Sequence, residues 1–246
     1  MQKNMKKQRL DEYLLERKLA KDKRGAFIMV TEGRVFVDGQ KAVSPAQIIK
    51  ENQKIQIREE REFVGRAALK LEAALKKFDI NVEGKICADI GAATGGFTEV
   101  LLKNGAKKVF AIDTAKGKLD FKIREDRRVE VMENTDIRDL EKLPEDVQYV
   151  TVDVSLLPLE QILPAVTKLL ATGGEIIALF KPQYETRDPA MLHHGVIQGE
   201  ENRQILLKNF HTWLEGNNWK IIGEMESPIR GSKGNVEYLF HLKLKA

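Results

Sequence analysis

Residues 89–102, DIGAATGGFTEVLL, constrain the fold more than any other stretch of this 246-residue chain. An apolar run closes on Asp89, a loop of Gly, Ala and Thr follows, and an amphipathic segment opens at Phe97. That order is the signature of a strand entering a tight turn and then a helix, where backbone amides and the positive helix end can hold a nucleotide-like ligand. The next strand-like run, KKVFAID, closes on Asp113, the place where a Rossmann-type sheet sets a carboxylate against a ribose. The pair of motifs reads as a nucleoside-cofactor site.

The loop spacing narrows the ligand. It does not fit the P-loop pattern, and Ala93 stands where a dinucleotide fingerprint needs its second glycine. What remains is a turn similar to the acidic-glycine turn of methyltransferases that use S-adenosylmethionine, or a glycine turn of another α/β protein that holds no cofactor.

Beyond a helical pattern in RAALKLEAALKKF, with Leu71, Ala74, Leu75 and Phe78 on one face and Lys70 off it, seven strand-like runs follow. These are KICADI, KKVFAID, RRVEVM, VQYVTVDV, GGEIIALF, WKIIGEME and NVEYLFHLKL. Helical patterns separate most of them, as in a doubly wound parallel sheet. Only the short loop SPIRGSKG joins the last two, which makes that pair antiparallel, because parallel neighbours need a longer crossover. The expected fold class is α/β: a Rossmann-like seven-stranded methyltransferase sheet ending in an antiparallel edge.

Charge separates the N-terminal segment from this body. Residues 1–66 hold 16 Lys and Arg against 10 Asp and Glu, a net +6, while the remainder carries 25 against 27. Such a segment either meets a polyanion or presents solvated charge. Within it, RLDEYLLERKLA and AFIMVTEG read as helices, the second stopping at Gly33, and RVFVDGQKA reads as a hairpin turning at Asp38-Gly39 before the strand KIQIRE. Two helices and a small hairpin over residues 8–58 resemble the RNA-binding module named for ribosomal protein four of the small subunit. The resemblance implies a small α+β RNA-binding domain over residues 1–58, with Lys21, Lys23, Arg24, Arg34 and Lys41 as its contact residues. Residues 59–66 read as a connector and 67–246 as the catalytic domain.

No apolar segment reaches the roughly 18 residues of a membrane span, and the N-terminus lacks the apolar core of an export signal. Cys87, the single cysteine, lies in an apolar run, which excludes a disulfide framework. A cytoplasmic enzyme is expected. His193-His194 has no partner at ligand spacing, so no metal is expected, and Trp213 and Trp219 read as core.

Ligands of such sheets collect at the carboxyl ends of strands. The expected cofactor set is Asp89, Gly91, Ala92, Gly95, Gly96 and Phe97, with Asp113 after the second strand and Asp136 and Ile137 after the third. Asp136 also reads as a cap for the turn begun by IRDL. Asp153 and Lys181 directly end the fourth and fifth apolar strands, positions hard to explain as solvated surface.

In order, FVGRAALKL, DIGAATGGFT, VDVSLLPL, LFKPQYE and SPIRGSKGNVEYL resemble the TlyA family of ribosomal RNA 2′-O-methyltransferases, often labelled hemolysins, within the wider FtsJ-like group. The resemblance spans nearly the whole chain. It implies S-adenosylmethionine as cofactor, ribosomal RNA or ribosomal subunits as partner, and no obligatory protein partner. It also implies a Lys-Asp-Lys-Glu tetrad at Lys70, Asp153, Lys181 and Glu237, with Lys181 either the base or a cation orienting the hydroxyl. Two other classes stand beside this reading. One is a membrane-lysing protein, which the missing span and signal oppose; the other is an RNA-binding assembly factor with an idle cofactor pocket.

Overall fold

The computed structural model describes residues 7–58 and 62–245. They form two compact units, Met1–Glu62 with Asp120–Lys122, and Phe63–Leu119 with Ile123–Ala246.

In the first unit, β1 (Lys7–Arg9) leads into α1 (Leu10–Glu16) and α2 (Lys23–Thr31), then β2 (Val35–Val37), β3 (Gln40–Lys41), β4 (Ile48–Lys50) and β5 (Ile55–Ile57). Asp22 caps α2 by accepting the Gly25 amide at 2.7 Å, so the helix starts at Lys23, earlier than AFIMVTEG suggests. Asp38 and Gly39, at φ 51° and 81°, close the expected hairpin of β2 and β3, with β5 on the other side of β2. The antiparallel pair β1–β4 carried no pattern in the sequence. Leu10, Leu14, Ala26 and Val35 are fully buried and form this unit's own core.

The second unit follows as α3 (Ala68–Phe78), β6 (Ile86–Ile90), α4 (Gly96–Lys103), β7 (Lys108–Asp113), α5 (Phe121–Arg124), β8 (Val129–Glu133), β9 (Val147–Val152), α6 (Leu159–Thr167), β10 (Leu170–Phe180), α7 (Pro182–Glu185), β11 (Leu192–His193), β12 (Val196–Ile197), α8 (Gly199–Gly216), β13 (Trp219–Glu226) and β14 (Tyr238–Leu244). Seven of these strands make one sheet in the order β13-β14-β10-β9-β6-β7-β8. The pairs among β6 to β10 are parallel, and β14 runs antiparallel to both β10 and β13. The last two strands pair antiparallel, as the short loop between them requires, and the terminal strand β14 is the antiparallel one. The last strand of the chain is inserted between β10 and β13, and β13 forms the rim; loop length fixes that two strands pair, not what lies on their other side.

Alternation along each strand divides the core into two layers. Ala88, Ile90, Phe110, Ile112, Ile176, Ala178 and Phe180 face α6 and α8, while Cys87, Val109, Ala111, Ile177 and Leu179 face α3 and α4. Both faces are covered, as a largely parallel sheet requires. Burial pushes the Cys87 thiol up to about 12, which makes it a core residue. Trp219 is buried and Trp213 packs on the same layer.

Phe63 is buried in the second unit's core, and the Val64 amide donates to Glu99 at 2.6 Å. The expected connector over 59–66 thus gives up residues 63–66 to the catalytic unit; 59–61 lie outside the described residues.

Phe240 in β14 is fully buried, with edge contacts to Phe180 at 5.8 Å and Phe210 at 5.1 Å. Phe240→Ala is expected to lower unfolding free energy by about 3–5 kcal/mol. Denaturant titration of the variant at constant m-value measures that loss.

Candidate active site

The strand order changes direction at β6, between β7 and β9, and a crevice opens there at the carboxyl ends of the strands. Gly91 makes the crossing possible. Its φ is 82°, and a Cβ there would lie 2.4 Å from the Asp153 carbonyl oxygen. The Gly91 and Ala92 amides both donate to the Ile112 carbonyl, at 2.8 and 3.1 Å, and the Asp153 amide donates to the Ile90 carbonyl at 2.9 Å. The Ala93 amide donates to Asp113 Oδ2 and the Ala115 amide to Asp113 Oδ1, each at 2.7 Å. The loop and the second strand end are thereby locked together.

Over this frame lies a cavity of about 310 Å³, lined by Gly91, Ala93, Asp113, Asp136, Ile137 and Asp153, with Ile112, Leu157 and Ile162 among its apolar walls. Its size falls in the range of small-molecule sites. Among the described residues no Lys or Arg lines it, whereas three carboxylates do. That balance repels phosphate and suits a cationic, ribose-bearing ligand. Each Asp113 oxygen keeps a lone pair beyond its backbone bond, enough for a diol. Asp136 accepts the Arg138 amide at 2.9 Å and so caps the turn Ile137–Asp139, while still lining the cavity. Its ion pair with Arg138 holds its carboxyl below the usual range. The residues present fit S-adenosylmethionine.

The loop residues divide unequally around this cavity. Gly91 lines it; Ala92, Gly95, Gly96 and Phe97 are absent from its wall. Gly95 serves as the left-handed N-cap of α4 at φ 91°, Gly96 sits where a Cβ would come within 3.1 Å of the Ala68 amide, and Phe97 is buried in the α3–α4 layer. Asp89 also lies outside the cavity wall. Fully buried, it accepts the Thr98 hydroxyl at 2.7 Å and the Thr151 hydroxyl at 2.9 Å. Strand alternation turns it toward α4, so its side chain ties helix, β6 and β9 together.

A second cavity, about 280 Å³, shares Gly91, Ala93, Asp153 and Ser155 with the first. Residues far apart in sequence converge on it. Lys70, 7% exposed, lies in the first turn of α3 and pairs with Glu237 at 2.5 Å; Lys181, 8% exposed, follows β10 and pairs with Asp153 at 2.5 Å. The Lys181 ammonium also donates to the Val154 carbonyl at 2.8 Å and the Ser155 hydroxyl at 3.2 Å. Tyr184 lines the same cavity, as do Arg66, Ser155, Gln183 and Arg230, four residues that went unassigned in the sequence. Ser155 and Gln183 stand two positions after Asp153 and Lys181, and that proximity to strand ends was the available signal.

In the first unit, Lys21, Lys23 and Arg24 are exposed around the start of α2. Lys41 is exposed in β3, its stem so close over Gly33 that a Cβ there would clash with it. Arg34 differs: it is half-buried and pairs with Glu32 at 3.3 Å.

Residues 63–244 match the FtsJ-like methyltransferase family, and residues 8–55 match the S4 domain. The chain belongs to the FtsJ-like methyltransferases. It is 36% identical over 239 residues to the 16S/23S rRNA (cytidine-2′-O)-methyltransferase TlyA of Mycobacterium tuberculosis, covering 96% of this chain and 89% of that one. It is 38% identical over 236 residues to Hemolysin A of Brachyspira hyodysenteriae, covering 95% and 98% respectively. Among solved structures, a protein of Streptococcus thermophilus described as a candidate hemolysin superposes with a TM-score of 0.72 at 34% identity, over 98% of this chain and 90% of that one. As an FtsJ-like enzyme with an S4 domain, it joins a methyltransferase sheet to a nucleic-acid-binding type of module.

Burial pushes the Asp89 carboxyl up to about 6, against the lowering effect of its two threonine hydroxyl bonds. A folded-state value above the unfolded one means that this group destabilises the fold as pH rises from about 4 through 6. Asp89→Asn keeps the shape without the charge. Relative to wild type, the variant is expected to gain about 2 kcal/mol between pH 4.5 and pH 7.5, read as the change in the two proteins' unfolding difference.

Proposed function

We propose that this FtsJ-like enzyme methylates ribose 2′-hydroxyls of ribosomal RNA, with S-adenosylmethionine as donor and the N-terminal module supplying grip on the RNA. One observation carries the reading: two lysine–carboxylate pairs converge on a cavity that shares a wall with an acidic cavity lined, among the described residues, by no Lys or Arg. The relatives named above include an enzyme of that activity.

When bound, S-adenosylmethionine supplies a methyl group already activated by its sulfonium. The protein's work is alignment and removal of one proton. Asp113, with Asp136 and Ile137, would hold the ribose and adenine. Lys181 would meet the 2′-hydroxyl. Two of its three partners, the Asp153 carboxylate and the Val154 carbonyl, only accept hydrogen bonds. The third, Ser155, both donates and accepts, so a neutral amine would turn its lone pair to that side. There it would take the proton from O2′ and pass it to solvent. Lys70 and Glu237 would form the opposite wall, the ammonium stabilising charge on the oxygen. In the first unit, Lys21, Lys23, Arg24 and Lys41 would contact phosphates, giving binding that weakens with salt. Arg34, held by Glu32, would contribute less. The cytoplasm, where ribosomal RNA is modified, is the corresponding location.

Lys181→Ala is expected to cut methyl transfer to purified ribosomal RNA by about 10²- to 10⁴-fold, with RNA affinity retained. Transfer at the wild-type rate removes the tetrad assignment. Calorimetry with S-adenosylmethionine tests the donor separately, because an assembly factor with an idle pocket takes up none.

A further inference from the structure

We propose that Arg230 and Lys233 form a phosphate-binding lip on the catalytic unit, gripping the RNA backbone beside the ribose to be methylated; this rests on the methyl-transfer reading above. Both residues belong to the loop between β13 and β14. Arg230 and Ser232 line the cavity that gathers the tetrad, and Gly231 between them lies so near the Glu237 carboxylate that a Cβ there would clash with it. The loop sits directly against the tetrad.

Its backbone is tied down. The Ser227 amide donates to the Glu237 carbonyl at 2.8 Å, the Gly231 amide to the Asn235 carbonyl at 2.9 Å, and the Gly234 amide to the Gly231 carbonyl at 2.9 Å. Asn235, 3% exposed, joins the loop to the β11–β12 hairpin: its Oδ1 accepts the Ile197 amide at 2.9 Å and its Nδ2 donates to the Gly195 carbonyl at 2.8 Å. Lys233 uses the joined surface. Its stem lies over Gly195, where φ is 80° and a Cβ would come within 3.3 Å of the lysine Cδ and 2.9 Å of its Nζ. Glycine leaves room for that stem, and a lysine already seated loses less freedom on binding than a loose one.

Charge names the guest. Lys70 and Lys181 line the cavity but are bound by Glu237 and Asp153, so neither is free for an outside anion. Arg230 has Glu226 at 3.9 Å, with both side chains more than half exposed, a pair that contributes little. Lys233 is exposed and makes no ion pair among the described residues. The Ser232 and Lys233 amides, inside the turn that Gly234 closes on Gly231, donate to no described group. A guanidinium, an ammonium and open turn amides are the donors that phosphate oxygens take. Inside an RNA chain every ribose has a phosphate on each side, so a ribose placed at Lys181 brings both close to the loop against Glu237.

Each of Arg230→Ala and Lys233→Ala is expected to raise KM for purified ribosomal RNA about 5- to 10-fold at about 0.1 M salt, and to reduce the slope of log affinity against log salt by about 1. Affinity for S-adenosylmethionine, read by calorimetry, should stay at the wild-type value. Lys220→Ala is the control: Lys220 is exposed at the start of β13, opposite Lys243 and so at the end of the sheet away from the crevice, and its loss should leave KM as it is. Once the methylated nucleotide is mapped, an uncharged methylphosphonate at one of the two phosphates beside it should weaken binding to wild type, and weaken it less in the Arg230→Ala/Lys233→Ala double variant. Wild-type KM and salt slope in the double variant, an equal loss in Lys220→Ala, or an equal methylphosphonate penalty in both proteins overturns the lip. So does the absence of a penalty at either phosphate in wild type, a measurement that needs no variant to fold. Wild-type protein that transfers no methyl group to ribosomal RNA sinks the underlying reading and this assignment with it; active wild type beside a double variant of unchanged KM sinks the lip alone.

Discussion

The catalytic unit depends on a close approach of two backbones. At the end of β6 the chain turns through Gly91 so near the Asp153 carbonyl at the end of β9 that a single carbon atom would not fit. This contact fixes the separation between the glycine loop after β6 and the carboxylate that pairs with Lys181. It also explains why the two cavities share Gly91, Ala93, Asp153 and Ser155: they are two sides of one crossing. The parallel pairing of β6 with β9, from Cys87–Tyr149 to Ile90–Val152, sets the register in which those ends arrive together.

Asp89 and Asp113 lie on the same side of the sheet by strand alternation, and their distance from the strand end divides their work: Asp89 precedes Ile90 inside β6, whereas Asp113 is the last residue of β7. Asp113 ends β7 at the crevice, where it accepts the Ala93 amide and lines the cavity of about 310 Å³. Asp89 is directed into the layer beneath α4, where two threonine hydroxyls stand in for water. One carboxylate is placed to meet a ligand; the other holds the loop's helix against the sheet.

Much of this could be read from the residues because strand ends are marked. Asp113, Asp153 and Lys181 each terminate an apolar run, and the sheet's topology carries such ends to one crevice. Lys70 and Glu237 were reached only through family resemblance, since Lys70 lies off its helix's apolar face and Glu237 in a loop. Phe97 and Gly96 carry a packing role that the loop reading did not anticipate: Phe97 is buried in the α3–α4 layer and Gly96 lies against the start of α3. The slot of β14 between β10 and β13 was not legible either. On its β10 side the strand is packed through Phe240 against Phe180 and against Phe210 of α8, a long-range fit that no local pattern encodes.

The energetics of the crevice argue for function over stability. A buried ion pair contributes little against an apolar pair of the same volume, because desolvation offsets most of the attraction. Here two such pairs stand at one rim. Apolar residues at those positions would make a fold at least as stable. The unit tolerates the arrangement because its stability lies elsewhere, in two apolar layers on either side of the sheet. Charged pairs kept in a costly state beside a ligand-sized cavity support the reading proposed above, in which they serve a reaction rather than the fold.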